Sequence, residues 1–162
     1  MKKEYIIVVV VSLLIIFIFL FKGDNDKIND ALLKKIENHL LEENTNDIKS
    51  DYEKPICYIA SLVYGNNVSG KNMSVYLWAM IDCYNESEEI SSSSMPYKFN
   101  LKKDGKEYVI VKYEFPRDGS YKEDMKKLFP VFIRYDMEKI YDDGTANKLK
   151  KEIEKQIRES NK

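Results

Sequence analysis

The chain is poor in the side chains from which active centres are usually built. Its 162 residues hold one histidine, two cysteines and one tryptophan. The cysteines, Cys57 and Cys83, form no CxxC pair. Two separated cysteines and one histidine make a poor zinc set, which asks for four ligands or for three and an open position. His39 as a catalytic base would need an activated nucleophile beside it, and no motif supplies one. It reads as a helix-face histidine, and no catalytic residue, cofactor ligand or metal ligand is expected.

An excess of charge is lacking too. The 26 basic residues nearly balance the 27 acidic ones, for a net charge of −1. Such a surface has no general attraction for nucleic acid, and none is expected as a partner. Glycine and proline are sparse while Lys, Asn, Ile and Tyr abound, which reads as the coding bias of an A/T-rich genome. There is no internal repeat. Asp24, Asp26 and Asp30 lie in a stretch that looks superficially like a calcium loop. It lacks the sixth-position glycine and the closing glutamate. Glu86, Glu88 and Glu89 read as a solvated turn. Asn-x-Ser sequences at Asn67, Asn72 and Asn85 matter only in a eukaryotic secretory host.

What is present is one unbroken apolar run over residues 5–21, with Ser12 its one clearly polar member and Lys2 and Lys3 just ahead of it. As a helix it spans about 26 Å, the short end for a hydrocarbon core of about 30 Å. Tyr5, Lys3 and Lys22 extend it, since aromatic rings and snorkelling lysines suit the interface. A cleaved signal peptide is the alternative. Against it, the run is longer than a usual signal core and ends in Phe19-Leu20-Phe21-Lys22 with no small-x-small site. Lysines on both sides blur the charge bias, but long following domains translocate regardless. The expectation is a single-pass protein of the cell membrane. Residues 1–4 are cytoplasmic, 5–21 the transmembrane anchor, 22–26 a tether, 27–144 an extracytoplasmic domain and 145–162 a charged C-terminal helix.

Periodicity predicts a helix over 27–43, where Ile28, Leu32, Ile36 and Leu40 recur every fourth residue. Asp24 or Asp26 caps its start, and Asn44-Thr45-Asn46-Asp47 ends it. Two strands follow, 54–64 and 72–84, joined by a loop over 65–70. Both are apolar on both faces. Odd positions carry aliphatic residues, and even positions carry Tyr58, Tyr76, Trp78 and Tyr84. Two apolar faces need two covers, and the first helix supplies one. Either the C-terminal helices cover the aromatic side as a second core, or it stays partly open as a binding groove.

Ser91 to Ser94 reads as a loop. Strands over 96–103 and 106–115 follow, joined by a three-residue bulged turn at Lys103-Asp104-Gly105 that sets Phe99 opposite Val109 and Tyr97 opposite Val111. Ser120 caps the next helix with Glu123 reaching back, a capping box. That helix stops before Pro130. Another runs over 131–142, Asp142-Asp143-Gly144 breaks it, and Thr145 caps the last, 146–159. Its thin stripe of Leu149, Ile153 and Ile157 predicts weak docking.

Cys57 and Cys83 fall in the partners of the first hairpin. A register whose numbers sum to 140 sets them opposite each other, one that sums to 138 makes them diagonal neighbours, and in an oxidising compartment they would bridge. Two buried reduced thiols are the alternative.

The stretch holding Ser94-Met95-Pro96, then Pro116-Arg117-Asp118-Gly119-Ser120-Tyr121, then Leu128-Phe129-Pro130 resembles an uncharacterised extracytoplasmic domain of Gram-positive bacteria. Such domains stand alone behind an anchor or are attached to sensor proteins of the antirepressor metallopeptidase type. The resemblance covers about half the chain, and no activity follows from it. This chain has no metallopeptidase part and has serines where a Ser-Gly pair often precedes the Ser-x-Pro position. Pro96, Pro116, Arg117, Asp118, Gly119, Ser120, Phe129 and Pro130 read as structural: a turn, a helix cap and a helix break.

The expected fold is α+β, one helix on a four-stranded antiparallel meander followed by C-terminal helices, cystatin-like or nuclear-transport-factor-like by analogy. The expected role is a non-enzymatic, membrane-tethered binding or sensing module with an envelope-protein or cell-wall partner. The alternatives are an inhibitor or immunity-type protein of the envelope, or a small envelope hydrolase that unites His39 with a serine, Asp82 or Asp118.

Overall fold

The computed structural model describes residues 28–160. The apolar run over 5–21 lies outside them. Among the described residues no helix is long and apolar enough to cross a membrane.

Helix α1 (Asp30–Ile48) comes first. Its N-cap is Asn29, whose Oδ1 accepts the Leu32 amide at 2.8 Å, so neither Asp24 nor Asp26 is needed for that role. The helix also outruns its predicted end. Asn44 lies within it and bonds back to the Leu40 carbonyl at 2.8 Å, and Ile48 packs onto the core below. Tertiary burial outweighs the weak helix preference of the Asn-Thr-Asn-Asp stretch.

Four strands follow, β1 (Pro55–Ser69), β2 (Asn72–Asn85), β3 (Glu88–Asp104) and β4 (Glu107–Glu114), in one antiparallel sheet ordered β1-β2-β3-β4. The fold class is thus α+β with an antiparallel meander. Each predicted irregularity moved. The loop expected over 65–70 is strand. β1 absorbs Tyr64 as a bulge and continues to Ser69, and the reversal narrows to Gly70-Lys71. The bulge flips the alternation, so Val68 joins Ile59 and Val63 on one face. Gly65 sits just after it. A Cβ there would stand 3.0 Å from Ile133 Cδ1, so glycine lets a later helix approach the strand.

Ser91 to Ser94 is also strand rather than loop, paired with the Met80 to Cys83 stretch of β2. Serines this polar hold strand geometry because their backbones complete β2's ladder. The β3–β4 turn is Gly105-Lys106, not Lys103-Asp104-Gly105, and the bulge falls further along, at Val111. Phe99 therefore faces Tyr113 and Leu101 faces Ile110. Tyr108, Ile110 and Tyr113 turn to the core, while Val109 and Val111 point away from it. An extra residue in mid-strand brings Tyr108 and Ile110 onto the same face as Tyr113, which a bulge at the turn cannot do, and leaves Val109 and Val111 outside.

After β4 the chain forms α2 (Tyr121–Leu128), α3 (Val131–Met137) and α4 (Thr145–Ser160). The helix expected over 131–142 stops at Met137, and turns carry buried Ile140. At the start of α4 the polar group is Asp143 rather than Thr145. Its Oδ1 accepts the Thr145 amide at 2.8 Å.

These pieces stack in three layers. Ile36 and Leu40 of α1 pack with Val75, Leu77, Ala79, Ile81, Phe99 and Leu101 on one face. On the other, Tyr76, Trp78 and Ala60 pack with Met125, Phe129, Met137, Ile140, Leu149 and Ile153. The stripe on α4 is thus no loose fringe. Leu149 and Ile153 are buried, and Gln156 Nε2 bonds the Ile59 carbonyl at 2.9 Å, satisfying a carbonyl of the β1 edge.

Candidate functional site

The aromatic side of the first hairpin is the surface the sequence nominates, and the fold divides it. Tyr76 is 5% exposed and Trp78 4%. Tyr76 lies 6.0 Å from the Phe129 ring. Trp78 meets Tyr141 edge-on at 6.0 Å, and Trp78 Nε1 and the Tyr141 hydroxyl both donate to Ser94 Oγ at 2.9 Å. Both rings belong to the second core, covered as one of the two alternatives has it. Neither offers a face to a partner.

Tyr58 and Tyr84 behave differently. They sit across β1 and β2 with ring centroids 6.0 Å apart, edge to face. The three C-terminal helices do not reach fully over them. With Ile56, Glu86, Ser87, Ile157 and Ser160 they line a pocket of about 270 Å³. The Tyr58 hydroxyl meets Ser160 Oγ at 2.6 Å at the end of α4, and the Tyr84 hydroxyl donates to Glu89 Oε2 at 3.3 Å. Burial, then the negative charge of Glu89 and of Asp82, raises the Tyr84 pKa, so this hydroxyl stays a donor at neutral pH. Glu86 on the rim has φ 56°, a left-handed conformation uncommon outside glycine. It makes the tight β2–β3 turn with Ser87 and gives the pocket its acidic lip.

Asp82, the ladder partner of Tyr58 but not part of the pocket wall, is buried, and its Oδ1 accepts Ser92 Oγ at 2.7 Å. The site thus combines two tyrosine rings, an aliphatic floor and carboxylates. That chemistry suits a ligand with an apolar or sugar-like face and hydroxyl or amine donors.

His39 is on the opposite side of the sheet from Asp82. It contacts the rings of Tyr113 at 5.5 Å and Phe99 at 6.3 Å. Asp118 is exposed in the turn before α2. The fold does not bring these three together. Among the described residues, no three His, Cys, Asp or Glu side chains converge as a metal set.

Cys57 and Cys83 stand opposite each other in the ladder and are joined as a disulfide across a sequence separation of 26. The bridge ties the sheet at the end away from the Gly70 and Gly105 turns. It faces α1, on the side opposite the tyrosine pocket.

The motif before α2 organises itself around a residue the sequence reading passed over. Asp124, not Glu123, is the hub. Its Oδ2 accepts Arg117 Nε at 2.9 Å, the Arg117 amide at 3.1 Å and Ser120 Oγ at 2.8 Å, and Oδ1 accepts Arg117 Nη2 at 3.2 Å. The capping box is absent: Ser120 makes no side-chain bond to the helix backbone. The Arg117 side-chain bonds, then its amide, then Ser120, hold the Asp124 carboxyl well below the usual range. Gly119, at φ 84°, makes the reversal that folds Arg117 back onto α2. Pro116 and Phe129 are buried, Pro96 is buried opposite Trp78, and Pro130 starts α3. The signal for Asp124 was an acidic residue four after a serine and seven after an arginine, outside the spacing of a capping box.

No protein family, no curated protein and no solved structure matches the chain.

Proposed function

We propose that the chain is a single-pass, membrane-tethered binding or sensing module that holds its folded domain outside the cytoplasm and performs no catalysis. One observation carries this reading: the uncharged apolar run over residues 5–21 behind Lys2 and Lys3. The disulfide between Cys57 and Cys83 supports it, since such bonds persist in oxidising compartments. The resemblance of the Pro116 to Pro130 stretch to extracytoplasmic domains of Gram-positive bacteria leans the same way. The order of one helix followed by an unbroken meander favours the cystatin-like analogy for the finer fold. The ligand site is the Tyr58–Tyr84 pocket, and the partner is a component of the cell envelope.

Protease treatment of intact protoplasts tests the topology. The full-length chain, sedimenting with membranes, is expected to be cut down to a short N-terminal remnant. A full-length product in the soluble fraction, or one fully protected until lysis, overturns the reading. For the pocket, a photo-crosslinking residue at Tyr84 is expected to give a discrete envelope adduct that the same residue at Val109 does not. Equal or absent labelling at both positions sinks the assignment.

A further inference from the structure

The two most exposed large apolar side chains among the described residues, Phe132 and Val131, form a tip with Tyr135 where α2 turns into α3. Phe132 is 86% exposed, Val131 65% and Tyr135 60%. Pro130 beside them is exposed as well. The inward side of the same short helix is committed: Met137 is buried, and Ile133 meets Gly65. The fold thus anchors α3 firmly and still turns a phenylalanine and a valine into water. Single exposed apolar residues are ordinary, but a contiguous group on a rigid elbow marks a contact surface.

Its location says what the contact is. Ile28, where the described chain begins, lines a shallow hollow with Leu33, Ser61, Leu62, Val63 and Asn66. Ile133 reaches Gly65 in the same stretch of β1. The start of α1 and the α3 elbow therefore flank one short segment of one edge strand, and Leu62 adds an exposed apolar side chain there. Residues 22–27 separate Ile28 from the apolar run and bridge at most about 20 Å. A chain anchored by that run keeps this edge within reach of the lipid headgroups.

We infer that the α2–α3 elbow is a second, reversible membrane contact, with Val131 and Phe132 entering the headgroup–acyl boundary and Tyr135 at its level. This rests on the anchor reading given above. The surrounding charges fit it. Lys126 and Lys127, exposed in the last turn of α2, precede the tip and face anionic headgroups. The nearby acids are partly offset by adjacent bases, Asp136 by Lys139 at 3.9 Å and Glu138 by Arg134 at 4.0 Å. Lys139 Nζ also lies 3.7 Å from the Tyr135 ring centroid as a cation–aromatic pair, and tyrosine is itself enriched at membrane interfaces. A patch this small would hold a free protein on a bilayer only weakly. Tethering makes the encounter intramolecular, so a weak contact suffices to fix the domain's orientation. The opposite end, with the Tyr58–Tyr84 pocket and the disulfide, would then face away from the bilayer.

The full chain, reconstituted in vesicles of phosphatidylglycerol and phosphatidylethanolamine, tests this. A nitrobenzoxadiazole label is attached at Val131→Cys, with Phe132 retained, and in a parallel sample at Val111→Cys on β4. At 131 the emission is expected to shift to the blue, with iodide quenching several-fold weaker and doxyl-lipid quenching several-fold stronger than at 111. Adding Phe132→Asp, a change in water that leaves the core untouched, is expected to return the 131 label to the 111 values. Flotation of the chain with equal, water-like signals at both positions overturns the elbow contact while the anchor stands. A label at 131 shielded from iodide but not reached by the lipid quencher means that a second copy or another segment of the chain covers the tip, and overturns it too. Failure to float overturns the anchor and this inference together.

Discussion

The two faces of the sheet solve the same problem by different means. One face takes a single long cover, α1, which is contiguous in sequence with β1; it is aliphatic on β1 and β2 and carries Tyr97, Phe99 and Tyr113 on β3 and β4. The other is aromatic and takes three short helices from the far end of the chain. The α1 side has polar groups as well, since Ser61 Oγ donates to Glu37 Oε1 at 2.7 Å and the Tyr97 side chain is buried there. The composite cover brings buried polar groups with it: Asp82 on Ser92, and Trp78 with Tyr141 on Ser94. It also leaves the tyrosine pocket at one end and the exposed elbow of α3 at the other. Hollows open at the junctions on both faces, since the α1 side has its own, lined by Ala31, Lys35, His39 and Ile110 where the helix meets β4.

The sharpest way to break the comparison is to empty each core in turn. Phe99→Ala on the α1 face and Trp78→Ala on the face under the C-terminal helices should each cost about 3–5 kcal/mol in urea denaturation. They should differ in hydrogen exchange. Phe99→Ala is expected to raise exchange throughout the sheet and α1, whereas Trp78→Ala is expected to loosen α2, α3 and α4 first. Identical exchange maps would show that both faces form one cooperative unit. Because Trp78 is buried, Trp78→Ala reports on folding and not on partner binding.

Replacing both Cys57 and Cys83 by alanine should cost about 3.5 kcal/mol in the chain-entropy account, read as a lower midpoint under non-reducing conditions. Since the bridge is at the α1 face, the loss is expected to unprotect the adjoining ends of β1 and β2 before α4. A midpoint unchanged from that of the reduced parent would confirm that the bridge acts only through the cross-link.

Asp124→Asn should have a smaller effect, and one that depends on pH. The folded-state pKa of Asp124 lies below the ordinary value of about 3.9, so its stabilisation is complete above that pH and is withdrawn as the pH falls below it. The parent's urea midpoint is therefore expected to drop more steeply than the variant's on acidification below about pH 4. Parallel curves would show that the Arg117 contacts do not stabilise the aspartate. The smallest effect is expected from Glu123→Gln, within about 0.5 kcal/mol, since Asp124 and not Glu123 holds the start of α2. A larger loss would reinstate the capping box.

The primary structure by itself determined the aliphatic–aromatic split of β1 and β2, the need for two covers, the opposition of Cys57 and Cys83 at one of two registers, and the greasy run over 5–21. These depend on period-two and period-four patterns that are local and physically stiff. Tertiary structure decided the rest. The bulges at Tyr64, Ile90 and Val111 lie where a neighbouring element required one face to be kept, and no local pattern marks an extra residue. Ser91 to Ser94 became strand because β2 offered a partner. The division of the aromatic set, with Tyr76 and Trp78 sealed and Tyr58 and Tyr84 left at a pocket, depends on which rings the C-terminal helices cover. Cover by a distant helix is a long-range packing event, and side chains of the same type carry no mark of which of them it will reach.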